Sequence, residues 1–380
     1  MKFGDIVRLV SERCDPIEAG IERFVGLEHI EPGEFSVRSW GDVADGTTFT
    51  NRFRPGQVLF GKRRAYQRKV ALANFDGVCS GDIYVLESAD SRRLLPELLP
   101  FICQTDAFFE HAVGTSAGSL SPRTNWTSLA GYEFALPPIE HQRQLVDFLS
   151  AIKAVVDRSV AMAKALKDVE AALLADRFPS ERGVPIQRTV PLSELAEVSL
   201  GYKVSPVHRG ERTTLPIVTV AQLQDGWFDL SNVRDTTIPH HMVSSFRPQS
   251  GVLLLTEGGS IDQLGRGAVW RGQLDDCVFQ NHVFAIKPKS SHVLVEFLEG
   301  LMRSPRGREF FLRHAKRTSN LATIDKRKVE TMPVPEIALA DQEAWVAHYL
   351  SVRRSLVAAA RRVTEARNLI HAAFTCLRGM

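Results

Sequence analysis

The chain has 380 residues, 44% apolar and 24% charged, which allows two or three domains with true cores and excludes a disordered or fibrous chain. A net charge of only +3 excludes a globally basic nucleic-acid binder, so any such role must rest on local patches. Five scattered cysteines without a CxxC pair exclude a disulfide frame or zinc site, and no apolar run reaches membrane-span length, so a cytoplasmic protein with reduced thiols and no membrane contact is expected.

Residues 1–135 open with the short amphipathic run Phe3-Gly4-Asp5-Ile6-Val7. Strand-like runs follow at Arg23–Leu27, Glu34–Val37, Gln57–Phe60, Val70–Ala73 and Ile83–Leu86, punctuated by Pro32-Gly33 and Pro55-Gly56. A helix is predicted over Leu94–His111, then a Gly/Ser-rich loop at Gly114–Ser119. This reads as an α+β domain.

From 136 to 179 the pattern is one long helix. Pro137-Pro138 stops what precedes it, and neither Gly nor Pro interrupts Ile139–Phe178. Phe148, Ile152, Val155, Ser159, Met162, Leu166, Val169 and Leu173 step by four and three, the repeat of a coiled-coil seam. A second stripe of Leu145, Leu149, Ile152, Val156, Ala163, Leu166 and Leu173 lies beside it, which predicts two apolar neighbours. Roughly 36 residues at 1.5 Å rise make a rod of about 54 Å.

Ser180–Pro185 is a turn-rich linker, and residues 180–333 form a second domain that repeats the first. Phe53-Arg54-Pro55 answers Phe246-Arg247-Pro248, each followed by an apolar strand (Val58–Phe60; Val252–Leu255). Asp76–Leu86 aligns with Asp276–Ile286 without a gap, and Phe108-Phe109 answers Phe310-Phe311. A second long helix fills 334–380, its seam Trp345, Tyr349, Val352, Leu356, Ala359, Val363, Ala366, Ile370, Ala373 and Leu377, with Gln342 placed as Gln142 is in the first. A tandem repeat of this kind gives pseudo-twofold symmetry and two similar faces for a two-sided target.

No catalytic motif is legible. The chain lacks a P-loop, an Asn/Asp-Pro-Pro-aromatic tetrapeptide, a glycine-rich methyl-donor turn, a carboxylate two places before a lysine, and metal-spaced His/Cys. His240-His241 reads as a loop feature, and Thr256–Ser260 as a loop with the flexibility and polarity for close backbone approach, a pattern more often simply a turn. Local charge is the positive signal. Asn51–Lys69 holds Arg52, Arg54, Lys62, Arg63, Arg64, Arg68 and Lys69 without an acid, interleaved with Tyr66 and Gln67. Arg303–Lys328 holds nine cations against Glu309 and Asp325, with Thr318-Ser319-Asn320 in its middle. Cations mixed with amides and hydroxyls suit phosphate contact and base-edge reading; charge alone leaves a solvated surface as the alternative.

These features resemble the specificity (S) subunits of Type I restriction–modification enzymes. The resemblance rests on Leu136-Pro137-Pro138-Ile139-Glu140-His141-Gln142 opening the first long helix and Val334-Pro335-Glu336-Ile337 with Gln342 opening the second. Leu192–Val198 with Gly201, the strands after Arg54-Pro55 and Arg247-Pro248, and Gln280-Asn281-His282 add to it. The second helix start departs from the pattern, with Pro335-Glu336 in place of a double proline. The resemblance implies an α+β chain of two tandem target-recognition domains separated by two long antiparallel coiled-coil helices. Each domain would read one half of a split double-stranded DNA site, and helix length would set the spacer.

It further implies a non-catalytic chain without its own cofactor. Two modification (methyltransferase) subunits would bring S-adenosylmethionine, and restriction subunits would bring ATP- and Mg-dependent translocation and cleavage. DNA contacts are expected at Arg63, Arg64, Tyr66, Gln67, Arg68, Ser119, Arg123 and Asn125 in the first domain. In the second they are expected at Lys203, Gly259, Ser260, Gln263, Arg266, Lys316, Arg317, Ser319 and Asn320. The rivals are a restriction or methyltransferase enzyme with fused readers, for which no catalytic stretch is left over, and a coiled-coil scaffold that does not bind DNA.

Overall fold

The computed structural model describes residues 1–180, 188–203, 210–261, 263–318 and 321–378, with only the backbone described at 371 and 374–378. The chain divides into two compact units, Met1–Ala161 with Ala359–Met380, and Met162–Ala358.

In the first unit four antiparallel strands stand in the order Val7–Val10, Ile83–Ser88, Val58–Gly61, Val70–Leu72. Val58–Gly61 is buried on both faces, as its unbroken apolar run requires. Side chains alternate across a strand. Val58 and Phe60 therefore join a core with Phe101, Phe108 and Leu129 from the helical segments, while Leu59 joins one with Val25, Phe53 and Cys79 of a second sheet. That second sheet runs Gly41–Asp42, Arg23–Val25, Gly77–Cys79, Asn51–Phe53, its middle pair parallel.

The second unit has the same plan. Its antiparallel sheet runs Ala196–Leu200, Val283–Pro288, Val252–Thr256, Gly267–Trp270. Its smaller sheet runs Arg234–Pro239, Arg212–Val218, Val278–Phe279, again with one parallel pair. Leu253 and Leu255 face the helical core, and Val252 and Leu254 face the smaller sheet. The repeat thus extends through the early half of each unit, where the sequences share little.

Three local expectations are corrected. The helix predicted over Leu94–His111 is two, Leu99–Ile102 and Asp106–Gly114, because Thr105 Oγ1 accepts from the Phe108 N–H and caps the second. Ser304, followed by Pro305, makes the same break between Val295–Arg303 and Pro305–His314. Glu34–Val37 forms no strand, only an isolated bridge from Ser36 to Leu72. The segment read as a loop at Thr256–Ser260 is instead a strand end followed by the two-residue strand Gly258–Gly259, paired with Ala322–Thr323.

The long helices are Ile139–Arg177 and Leu339–Arg378, 39 and 40 residues. In the first unit Leu149, Ile152 and Val156 share a core with Ala366 and Ile370. In the second unit Phe178 packs on Phe297 and Trp345, ring centroids 4.9 and 5.3 Å apart. The start of the earlier helix thus meets the end of the later one, and its end meets the later one's start, as antiparallel pairing demands. The later helix buries Tyr349, Ala359, Ala366 and Ile370 of its expected seam. The earlier helix corrects its own: Leu149, Ile152 and Val156 of the second stripe are buried, while Phe148, Val155, Met162 and Val169 are 44–49% exposed at seven-residue spacing. Adjacent stripes lie about 100° apart on a helix, and a single seam cannot face both ways.

Candidate nucleic-acid interface

In the first unit the strand Val58–Gly61 delivers the chain into the basic loop. The Lys62 N–H donates to the Asp82 carbonyl (2.9 Å), and the Thr124 N–H donates to the Lys62 carbonyl (3.0 Å). Arg63 then bridges Arg123, and the Arg64 N–H donates to the Pro122 carbonyl at 2.7 Å. These bonds join Lys62–Arg68 to Ala117–Asn125, so the structure brings together the two segments that carry the expected residues of this unit. Ser119 lies exposed in the turn between Ala117 and Arg123, beside Leu120, which is 89% exposed.

The loop is strained. Arg64 and Arg68 both sit in the left-handed region (φ 54° and 55°) and flank the single turn Ala65–Gln67. Such a conformation costs a non-glycine residue roughly 1–2 kcal/mol, and strain of this kind gathers at functional sites. The turn sets out Tyr66, 56% exposed, while buried Ala65 anchors it. Gln67 is half-buried. Arg68 pairs with Asp106 (2.6 Å), donates to the Gln104 carbonyl and lies 4.7 Å over the Phe109 ring.

Arg63 and Arg123 converge on Asp82, at 3.4 and 2.9 Å. Partial burial pushes the Asp82 carboxyl up, but the Arg123 and Arg63 guanidiniums outweigh it and hold the carboxyl below its ordinary value. Asn125 serves the fold directly, since its Oδ1 accepts from the Ser128 N–H at 2.8 Å and caps the helix Trp126–Ala130.

The second unit rebuilds this frame. The Glu257 N–H donates to the His282 carbonyl (3.0 Å), and the Ile324 N–H to the Glu257 carbonyl (2.9 Å). Gly258–Gly259, Ala322–Thr323 and Lys316–Arg317 form a three-stranded sheet that gathers Gly259, Ser260, Lys316 and Arg317. Gly259 has φ 152° and a Cβ there would come within 3.0 Å of Gln263 Oε1; the Gln263 N–H donates to the Ser260 carbonyl. Lys203 is exposed next to Tyr202, whose carbonyl accepts from the Asn281 N–H. Arg266 donates to Gln224 at 3.4 Å. Lys316 lies 3.4 Å from Asp325, the residue that caps Lys326–Glu330 as Asn125 caps its own helix. Arg317 donates to the Leu312 carbonyl at 3.0 Å. Ser319 and Asn320 lie outside the described residues.

Part of the second basic run is elsewhere. The Arg303 side chain is 5% exposed and pairs with Glu170 and Asp225, both at 2.8 Å, and donates to the Tyr349 hydroxyl. Arg306 is buried, and Arg308 donates to the Leu264 and Ile261 carbonyls. These cations hold the second unit together. Sequence reasoning missed Asp82 and the His282–Glu257 pair, 2.7 Å between Nδ1 and Oε2. The ungapped match of Asp76–Leu86 with Asp276–Ile286 already set Asp82 opposite His282.

Among the described residues no cluster of His, Cys, Asp and Glu could hold a metal ion. No helix among them is long and apolar enough to cross a membrane.

No family model matches the chain. Over 195 residues, 48% of its length, it is 26% identical to the Type I restriction enzyme EcoDI specificity subunit of Escherichia coli, and the match spans only 41% of that relative. The S subunit of a Type-I restriction-modification system from M. genitalium superposes with a TM-score of 0.59 at 11% identity, covering 98% of this chain and 94% of that one. A chain from a type I R-M system, solved in work on its complex assembly and conformational transition, gives 0.54 at 20% identity, covering 99% and 96%. At these identities the structural likeness is one of fold, and it takes in both units. In fold over nearly its whole length and in sequence over about half of it, this chain is similar to the specificity subunits of Type I restriction–modification systems.

Proposed function

We propose that this chain is the DNA-specificity subunit of a Type I restriction–modification complex. Each unit reads one half of a split site in double-stranded DNA, and the chain docks methyltransferase subunits without catalysing a reaction itself. S-adenosylmethionine, ATP and Mg belong to the partner subunits in this reading. One observation carries it: the same backbone frame, with Asp82 and His282 at equivalent places, occurs in both units and supports two faces with different side chains. A duplicated frame with divergent groups is what reading two unlike half-sites requires.

The exposed residues Phe148 and Val155 of the first long helix supply an apolar surface for a partner helix in the first unit. The chain alone is expected to methylate nothing. With its modification subunits it is expected to bind a split site with an affinity that falls steeply with salt, and to direct methylation there. Filter binding across a salt series, with methylation mapped on the same DNA, tests this. Unselective binding by the assembled complex would overturn it. Phe148→Glu with Val155→Glu is expected to leave the chain folded and to abolish co-purification with the modification subunit.

A further inference from the structure

His282 stands where Asp82 stands in the first unit. The register makes this explicit: Gly61 pairs Ile83 and Thr256 pairs Val283, so Lys62 answers Glu257, and Asp82 answers His282. The backbone bonds agree, since the Lys62 N–H reaches the Asp82 carbonyl and the Glu257 N–H reaches the His282 carbonyl. The chemistry at these positions is reversed. Asp82 gathers the Arg63 and Arg123 guanidiniums, so the first unit presents donors there. Glu257 instead holds an imidazole.

A carboxylate can only accept a hydrogen bond, so His282 Nδ1 donates to Glu257 Oε2 across their 2.7 Å. That fixes the neutral ring in one tautomer, with the lone pair on Nε2. The side chain is 58% exposed, and no described residue bonds Nε2. The His282 backbone links the Asn281 N–H···Tyr202 carbonyl bond, next to Lys203, to Glu257, which leads into the small sheet bearing Gly259, Lys316 and Arg317.

We infer that His282 is a specificity-determining residue of the second unit, with Nε2 accepting a hydrogen bond from the exocyclic amino group of an adenine or cytosine in the major groove, and that Glu257 is its positioning residue. In that groove the N6 amino of adenine and the N4 amino of cytosine are the donors a base offers. This rests on the DNA-reading function proposed above.

The test uses the full chain assembled with its modification subunits and a duplex library randomised over the second half-site. His282→Ala is expected to lose the preference at one position, by about tenfold, and to leave the first half-site unchanged. His282→Gln, which keeps an acceptor, is expected to restore most of that preference. At that position an analogue lacking the amino group (purine for adenine, 2-pyrimidinone for cytosine) is expected to weaken wild-type binding about tenfold and His282→Ala binding not at all. Identical selected motifs for wild type and His282→Ala would overturn the inference, as would equal losses on the analogue. The reading beneath it is judged separately: it survives if the wild-type complex selects a split motif and Arg317→Ala weakens binding, and it falls if no motif is selected.

Discussion

Gln142 and Gln342 make the same three hydrogen bonds, each within its own unit. Gln142 accepts from the Leu95 N–H (3.0 Å) and donates to the Arg93 and Pro137 carbonyls (2.8 and 2.9 Å). Gln342 accepts from the Leu294 N–H (3.1 Å) and donates to the His292 and Ile337 carbonyls (both 3.0 Å). Both side chains are buried, 1% and 3% exposed. A side-chain amide offers one acceptor and two donors, and all three functions are used. Each glutamine ties the first turn of a long helix to the loop before a short helical segment and to the extended residues just ahead of its own helix.

Gln142→Ala and Gln342→Ala are therefore each expected to destabilise their unit by about 2–3 kcal/mol, since the Leu95 or Leu294 N–H and a carbonyl are left buried without partners. Thermal unfolding should show the affected transition lowered by several degrees. The exposed neighbour His141, replaced by Ala, should leave it in place. Equal melting curves for Gln142→Ala and wild type would refute this role for the residue.

Gln142 and Gln342 are legible as a pair in the sequence because a helix start marked by proline is a local signal. The strands at Val58 and Val252 are legible for the same reason, as unbroken apolar runs after Arg-Pro. The faces are less so. Asp82 and His282 acquire meaning only when strand pairing sets them beside Lys62 and Glu257, and Arg303 reads as a surface cation until Glu170 and Asp225 are brought to it from distant segments. The exposed stripe through Phe148 passes for the seam because two stripes a residue apart share the same stepping, and only the packing of Leu149 and Val156 decides between them. Charge and periodicity name the candidates; tertiary pairing assigns their roles.

Asp82 restrains the basic cluster of the first unit. Two guanidiniums that the proposed function assigns to phosphate contact are paired with its carboxylate. Asp82→Asn is expected to tighten non-specific DNA binding and to steepen the slope of log affinity against log salt by roughly one to two, as two cations become free to release counterions. Selectivity should fall, because a free guanidinium reaches phosphates in many registers. The salt series on specific and random duplexes measures both. An unchanged slope would mean that Arg63 and Arg123 do not approach the DNA.

Arg64 trades stability for position. With φ at 54° it holds a conformation that glycine adopts freely, and its Nε is buried without a hydrogen bond. Arg64→Gly is expected to stabilise the first unit by about 1 kcal/mol through release of that strain. The same change should weaken DNA binding severalfold, since it removes a cation and loosens the turn that sets out Tyr66. Melting temperature and DNA affinity moving in opposite directions is the expected signature. A loss of both would show that the guanidinium packs against its surroundings in a way the backbone strain conceals.

Glu299 gives the second unit a pH dependence of its own. Burial pushes its carboxyl above the ordinary 4.5, and Arg353 and Arg303 only partly oppose this. It accepts from the Val269 N–H and the Tyr349 hydroxyl at 3.2 and 3.1 Å. Tyr349 also accepts from Arg303 and Arg353, and Arg353 reaches the Gly226 carbonyl, so the carboxyl sits at the centre of a network joining helix, domain and loop. A group whose pKa is raised on folding favours the folded state below its unfolded value, and that contribution is lost as pH rises through the folded value. Glu299→Gln keeps one acceptor, the oxygen facing the Val269 N–H, loses the one facing the Tyr349 hydroxyl, and cannot ionise. Its melting temperature relative to wild type should therefore climb as pH is raised from about 4.5 toward neutrality and then level off. Arg303→Met, by contrast, leaves Glu170 with only the longer 3.8 Å contact to Arg353 and is expected to cost about 3–5 kcal/mol at neutral pH. A melting difference for Glu299→Gln that stays flat with pH would mean that the arginines fully compensate the buried charge, and that the network holds an ionised carboxylate throughout.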